Sequence, residues 1–256
     1  MTLALILFFI GHCVSMTYTS IFYHRGLCHG GLVFPPFMIK FIASSAMWVT
    51  GIDAKAWVCM HRLHHQYSDT EKDPHSPLFG GFWYTFLKSH KSFSHITTRL
   101  ILGSKRYNEI VKDIPFDVHW LNKKGLWWFP FLLHFVIGIL ISVLTATPLA
   151  GVGYFLGIAG HPVQGFLVNA VCHAYGYRNY NCPDQSRNNL LVAATIFGEG
   201  YHNNHHQFPS SPKFSVKPSE FDVGYLVINI MSWFGLVKIL KNKIPDAKQQ
   251  LNNQAV

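Results

Sequence analysis

Apolar residues dominate two stretches of the chain that contain no charged side chain. Residues 1–24 contain no Asp, Glu, Lys or Arg, and neither do residues 125–177. A transmembrane helix needs about 20 apolar residues, so the first stretch is long enough for one span and the second for two. Pro148 stands at the turn between the two helices of the second stretch. The pattern therefore predicts three spans, at about 1–23, 126–147 and 149–172.

The apolar segment 34–51 is nearly long enough to cross the bilayer, but it has Lys40 in its middle and a histidine motif on each side. A crossing would place these motifs on opposite faces, so we expect the segment to lie along the surface or to dip in and return. The pattern predicts an all-α integral membrane protein with one domain. Its transmembrane helices are capped by a helical domain built from 24–124 and 173–240, and a polar tail follows at 241–256.

Charge is sparse and unevenly placed. Charged residues make up 13% of the chain, against about 25% in ordinary globular proteins. Most Lys and Arg lie in 55–124 and 178–248, so the positive-inside rule predicts that these segments are cytoplasmic and that Met1 is outside. The start lacks the basic region and cleavage site of a signal peptide, so we expect the first helix to be retained, in a bacterial inner membrane. The net charge of +9 suits anionic lipid or an anionic head group. It is too dispersed for nucleic acid.

Histidines recur at helical spacing in two motifs, "HRLHH" at 61–65 and "HNNHH" at 202–206. On a helix, positions i, i+3 and i+4 share one face, so each motif can present three imidazoles to one space. A third motif, "HRGLCH", holds His24 and His29, which would lie about 140° apart on a continuous α-helix. Gly26 suggests that the helix ends there and that His29 returns from a loop. His173 ends the last predicted span, on the same side as His24.

The motifs predict a site for two metal ions, because nine imidazoles are too many for one. Imidazole suits iron, zinc and copper. Carboxylates are expected to accept the outer N–H groups of the ligands, and Asp69, Asp73 and Glu199 flank the motifs. Asp73 precedes Pro74 and is equally suited to capping a loop. His134 and His161 are predicted to be hydrogen-bonded structural histidines. The candidate ligands are His24, His29, His61, His64, His65, His173, His202, His205 and His206.

A family resemblance covers nearly the whole chain. The stretches "HRGLCH", "HRLHH", "DPHSP", "YGYRNYNCPDQSRN" and "GEGYHNNHHQFP" resemble those of the membrane-bound fatty acid desaturases, above all the acyl-CoA and acyl-lipid enzymes that act between carbons nine and ten. Members usually have two spans before the first motif, whereas this chain begins at what looks like the second. An Arg commonly follows the last His of the first motif, where this chain has Gly30.

The resemblance implies a non-haem centre of two iron ions that uses dioxygen and two electrons to introduce a cis double bond into a long acyl chain. It implies that the nine histidines are the ligands, that Asn169 reaches the metal through water, and that Trp57 lines the acyl tunnel. The acyl carrier would be coenzyme A, acyl-carrier protein or a phospholipid. Electrons would come from a separate ferredoxin or small haem protein.

Three other functions compete with this one. A di-iron hydroxylase of the same kind would share the ligands but add oxygen to carbon. A zinc or iron transporter would place polar ligands inside the spans near the midplane, whereas these histidines lie at span ends and in polar segments. A bis-histidine haem protein would need facing pairs within spans, and His12, His134 and His161 offer none.

Overall fold

The fold is mostly helical in this computed structural model, which describes residues 1–79 and 81–246. The part of the predicted polar tail at 247–256 lies outside the described residues. The helices are α1 Thr2–Met16, continued by a π-helical segment Thr17–Cys28; α2 Pro36–Thr50; α3 Ala54–Tyr67; α4 Tyr84–Ile101; α5 Lys105–Ile110; α6 Trp120–Lys123; α7 Phe129–Leu144; α8 Pro148–Ile158; α9 His161–Phe166, continued by a π-helical segment Leu167–Val171; α10 Cys172–Ala174; α11 Leu190–Thr195; α12 His202–Gln207; and α13 Val223–Trp233. A short 3₁₀ turn spans Lys241–Lys243.

The first helix runs without a break from Thr2 to Cys28 and has 27 residues. It is long and apolar enough to cross a membrane, and it extends past the predicted end at residue 23. Its outer half exposes apolar side chains such as Phe9 and Ile10, whereas the half that approaches Cys28 is buried. The helix therefore combines an apolar, exposed half with a half that is enclosed by the rest of the protein.

The other two predicted spans are less regular than the apolar pattern suggests. Helix α7 has 16 residues and is shorter than the predicted 126–147. The stretch 149–172 is not one straight helix, because Pro148–Ile158 and His161–Ala174 meet at an angle of 44°. Across 1–79 and 81–246, one helix can span a membrane by length and composition, or two if the bent pair is one span. The three-span topology stays a prediction.

Small residues allow the apolar helices to pack closely. A Cβ atom on Gly153 would lie 2.1 Å from the carbonyl oxygen of Ala4, and one on Gly157 would lie 2.3 Å from that of Phe8. Such close backbone contact is typical of helix packing in membranes. The contact holds α8 against α1.

Helix α2 carries the chain between the first two histidine motifs. It begins at Pro36 and ends before Gly51, which has a φ of 69°. Asp53 then starts α3: its carboxylate accepts the Ala56 N–H at 3.0 Å and also the His119 N–H at 2.7 Å. The chain thus returns to the first motif, and the rings of His24 and His61 lie 4.4 Å apart. The two motifs therefore share one site, as predicted.

A two-stranded antiparallel sheet joins the first motif to the end of the fold. Strand β1, Leu32–Val33, pairs with β2, Lys238–Ile239. The Leu240 N–H also donates to the Gly31 carbonyl at 3.1 Å. These bonds fix the chain just after His29.

Candidate metal centre

All nine predicted histidines come together, and they form two groups. Within each group, one ring nitrogen of every histidine lies within 4.8 Å of those of the others. Most of the nine histidines are buried, and the others are partly buried. The five-histidine group contains His24, His29, His61, His65 and His205; the four-histidine group contains His64, His173, His202 and His206.

Each H-x-x-H-H motif contributes to both groups. On α3, His61 and His65 belong to the five-histidine group, with their Nε2 atoms 3.1 Å apart, while His64 belongs to the other. On α12 the assignment is reversed: His202 and His206 belong to the four-histidine group and His205 to the five-histidine group. Helices α3 and α12 therefore face each other across the two groups. Each helix supplies two histidines to one group and one histidine to the other group.

The π-helical segment Thr17–Cys28 brings His24 and His29 to the same side. The His29 N–H donates to the His24 carbonyl at 3.1 Å, which is the i to i+5 bond of a π-helix. The rings lie 4.9 Å apart. The prediction that the helix ends at Gly26 is wrong, because the wider π turn places residues five apart above one another. A Cβ at Gly26 would also lie 2.3 Å from the Phe34 ring, so glycine is needed for packing.

Carboxylates accept the outer Nδ1–H of four histidines. Glu199 lies 2.6 Å from His24 and Asp69 lies 2.8 Å from His173. Asp73 lies 3.0 Å from His64, while it also accepts the backbone N–H groups of Asp69 and His75. These three carboxylates therefore contact histidines of the two groups, as the sequence suggested. Asp73 both contacts a histidine and caps a loop. Such contacts orient ligand rings and make them more basic.

The fourth carboxylate, Asp184, was missed from the sequence. Its Oδ2 lies 2.8 Å from Nδ1 of His206, and its Oδ1 accepts the Ser186 N–H at 2.9 Å. Asp184 lies in the loop "NCPDQ", which has no periodic relation to the histidine motifs. The only signal for Asp184 in the sequence was that it lies in a stretch that resembles the desaturase family.

Burial opposes the protonation of several imidazoles at the site. Burial lowers the pKa of His61, His205 and His206 well below the usual value, and the neighbouring imidazoles lower it further. Burial acts to raise the pKa of Glu199, but its contacts with His24 and Arg25 outweigh this effect and leave the pKa lowered. Neutral imidazoles that donate to ionised carboxylates are the form in which histidine binds metals.

The ring nitrogens that face each other point to bound cations. His64 and His206 each donate Nδ1–H to a carboxylate, so in neutral rings both Nε2 atoms carry a lone pair. These two Nε2 atoms lie 3.3 Å apart in the buried site. Facing lone pairs repel unless a cation lies between them. Nε2 of His29 is also buried without a hydrogen-bond partner among the described residues. The donor set therefore fits two ions of the kind that imidazole prefers.

A cavity of about 80 Å³ adjoins the five-histidine group. Its wall is largely apolar, from Met16, Ile52, Met60, Val168 and Ile196, and it also includes His24, His61 and Asn169. The Trp57 ring lies on the same wall and stacks on His61 at 4.9 Å. Asn169 lies in the π-helical segment Leu167–Val171, which precedes His173 along the chain. Its water-mediated role stays a prediction.

Comparison with known proteins agrees with this geometry. The fatty acid desaturase family model matches residues 1–216. The chain is 33% identical over 248 residues to an icosanoyl-CoA 5-desaturase of Limnanthes douglasii, covering 94% of this chain and 66% of that protein. It is 31% identical over 242 residues to a probable chloroplastic lipid desaturase of Arabidopsis thaliana, covering 92% and 62%. It is 29% identical over 237 residues to delta-9 acyl-lipid desaturase 1 of Arabidopsis thaliana, covering 90% and 72%.

The chain belongs to the fatty acid desaturase family. It spans 66% and 62% of the length of the first two of these relatives. The family match ends at residue 216, so it includes all nine histidines and all four carboxylates.

The two asparagines of "HNNHH" hold the third motif of this desaturase family member in place. Asn203 Oδ1 accepts the N–H groups of Asn179 and Tyr180, each at 2.8 Å. Asn204 Oδ1 accepts from the side chains of Asn179 and Asn188, each at 2.8 Å, and its amide donates to Glu220 at 2.9 Å. Both asparagines are buried. They fix the direction in which α12 presents its three histidines, a role that helical spacing did not predict.

The histidines outside the motifs differ from one another. His134 contacts the Tyr154 hydroxyl at 2.7 Å and the Trp48 carbonyl at 3.0 Å, so its prediction as a structural histidine is confirmed. His161 is buried and lines the cavity, and its Nδ1 has no hydrogen-bond partner in the described chain, so its structural role stays a prediction.

Proposed function

We propose that this protein is a di-iron fatty acid desaturase that uses dioxygen and two electrons to introduce a cis double bond between carbons nine and ten of a long acyl chain. The observation that carries the proposal is the pair of histidine groups, with four outer carboxylates, beside a mainly apolar cavity. The sequence resemblance to enzymes that act at carbon nine supports this position. The family match supports the reaction type.

The five-histidine group would hold one iron and the four-histidine group the other. When bound, iron supplies the oxidising power that removal of hydrogen from an unactivated methylene requires. The residues of this chain do the remaining work. Asp73 and Asp184 hold the Nδ1–H of His64 and His206, so that both rings present a lone pair. Glu199 and Asp69 do the same for His24 and His173.

The cavity would bind the acyl chain and choose the methylene that reacts. A methylene has no acid, leaving group or polar handle, so position within the cavity is the means by which a protein can select it. Trp57 stacks on His61 and would hold the chain against the metal groups. The relatives are named for acyl-CoA and acyl-lipid substrates, which supports coenzyme A or a lipid as carrier, with acyl-carrier protein as the third choice.

The first helix would anchor the protein in a bacterial inner membrane with the metal groups on the cytoplasmic side. Its apolar half is exposed, and its other end carries His24. The basic segments 55–124 and 178–248 would then face the cytoplasm. Electrons would come from a separate donor, a ferredoxin or small haem protein, that binds on that face.

Expression in a host that lacks desaturase activity tests the proposal. With a compatible reductant and air, the host should accumulate monounsaturated fatty acids. A His64→Ala variant should yield none, while His95→Ala, at an exposed position on α4, should match the parent. Iron-loaded, folded protein that leaves the fatty-acid profile unchanged despite a proven donor would overturn the proposal. Hydroxylated acyl chains would identify a hydroxylase instead.

A further inference from the structure

His75 is a buried imidazole that the nine-histidine site does not use. It lies in "DPHSP", and its side chain is 1% exposed. Its backbone N–H donates to Asp73 at 2.9 Å, which fixes the main chain at this point. Neither ring nitrogen has a hydrogen-bond partner among residues 1–79 and 81–246. A buried polar group without a partner is costly, so the ring has a partner that belongs to the working site.

The position of His75 identifies where that partner lies. Its ring is 4.4 Å from that of His64, a member of the four-histidine group. It also lines the cavity, together with Asn169 and the rings of His24 and His61. His75 therefore stands where the cavity meets the metal groups.

His75 is not a tenth ligand of the four-histidine group. Its ring nitrogens cluster with His64 and Asp73, and not with His173, His202 and His206. Asp73 already accepts Nδ1–H of His64 and two backbone N–H groups, so it has the surroundings of an orienting carboxylate and not of a third metal site. A neutral imidazole in this place still offers one donor and one acceptor to a small molecule in the cavity.

We propose that His75 is a positioning residue that hydrogen-bonds the exchangeable small ligand of the metal centre: water, dioxygen or a small anion at the cavity side of the four-histidine group. The inference rests on the proposed di-iron function. It assigns to His75 the orientation of the small ligand relative to the acyl chain, a task that the nine metal-binding histidines leave open.

Azide binding to the oxidised, iron-loaded protein tests this proposal, because azide is a small anion that reports the exchangeable position. We expect His75→Leu to keep the iron content of the parent and to bind azide about tenfold more weakly, which is the loss typical of one hydrogen bond to a charged group. His75→Gln retains a side-chain donor and should recover most of the affinity. His95→Leu is the control, since it removes an exposed histidine of α4 that does not line the cavity. It should bind azide like the parent.

Two results would overturn the proposal. One is parental azide affinity in both His75 variants. The other is loss of iron from the folded His75→Gln protein, which would make His75 a ligand. If His75→Leu does not fold, His75→Phe, which also lacks a side-chain donor, takes its place in the comparison. Failure of the parent itself to bind iron would count against the di-iron function and would be seen before any azide is added.

Discussion

Arg25 and Asp222 form a two-armed ion pair in the interior of the protein. Nη1 and Nη2 of Arg25 each lie 3.0 Å from an oxygen of Asp222. The guanidinium also donates to the Phe197 and Pro212 carbonyls and lies 3.9 Å from the centre of the Phe214 ring. Arg25 follows His24 directly, so the pair locks the first histidine motif against the segments on either side of the third.

This geometry predicts that Arg25→Lys destabilises the protein strongly. A lysine keeps the charge but cannot make both contacts to Asp222 and both carbonyl contacts, and each hydrogen bond lost from a charged group costs about 1.5–3 kcal/mol. Thermal unfolding in detergent should show a large fall in Tm, with loss of bound iron. Lys112→Ala removes one partner of an exposed pair with Glu109 and is the control. Equal melting temperatures for Arg25→Lys and the control would contradict the prediction.

The Asp184 contact predicts that Asp184→Asn weakens metal binding. The amide oxygen can still accept Nδ1–H of His206, but it no longer places a negative charge on the ring. Loss of such a partner typically lowers metal affinity about 10–100-fold. Competition with a chelator measures this directly. Asp117→Asn, at an exposed carboxylate paired with Lys123, should leave affinity unchanged. Parental affinity in Asp184→Asn would show that the contact does not support the metal.

The four-histidine group predicts different effects for His173 and Asn169. His173→Ala removes a member of that group, so bound iron should fall from two toward one per chain and activity should be lost. Asn169 lines the cavity without belonging to either group, so Asn169→Ala should keep most of the iron and lose most of the turnover. Metal analysis and product assay on purified variants distinguish the two. Normal iron content and activity in His173→Ala would limit the site to the three motifs.

The predicted orientation can be tested by labelling introduced cysteines from outside the cell. Cysteines placed at Lys88 or Lys217 should stay unlabelled, because both positions lie in segments predicted to be cytoplasmic. A cysteine at Thr145, before the turn that joins α7 to α8, should react. Cys13 is exposed and would be replaced first in each variant. Labelling at Lys88 or Lys217 in intact cells would refute the orientation.

The sequence alone predicted which histidines come together. The histidines at i, i+3 and i+4 lie close on any helix, so each motif placed three rings near one another before any tertiary contact was known. Asp69 and Glu199 could be found because a carboxylate next to a cluster of imidazoles has few other roles. The uncharged N-terminal stretch likewise predicted a long apolar helix, since length and hydropathy are local properties.

Tertiary structure decided how those members are divided and what surrounds them. His61 and His64 lie on one face of α3 but belong to different groups, because α12 packs against α3 from the opposite side. His29 reaches the site through a π turn that no α-helical periodicity predicts. Asp184 and His75 lie in loops, where position follows from the contacts of the folded chain and not from a repeat. Local spacing determines which side chains neighbour one another along a helix, while contacts between distant segments depend on how the helices pack.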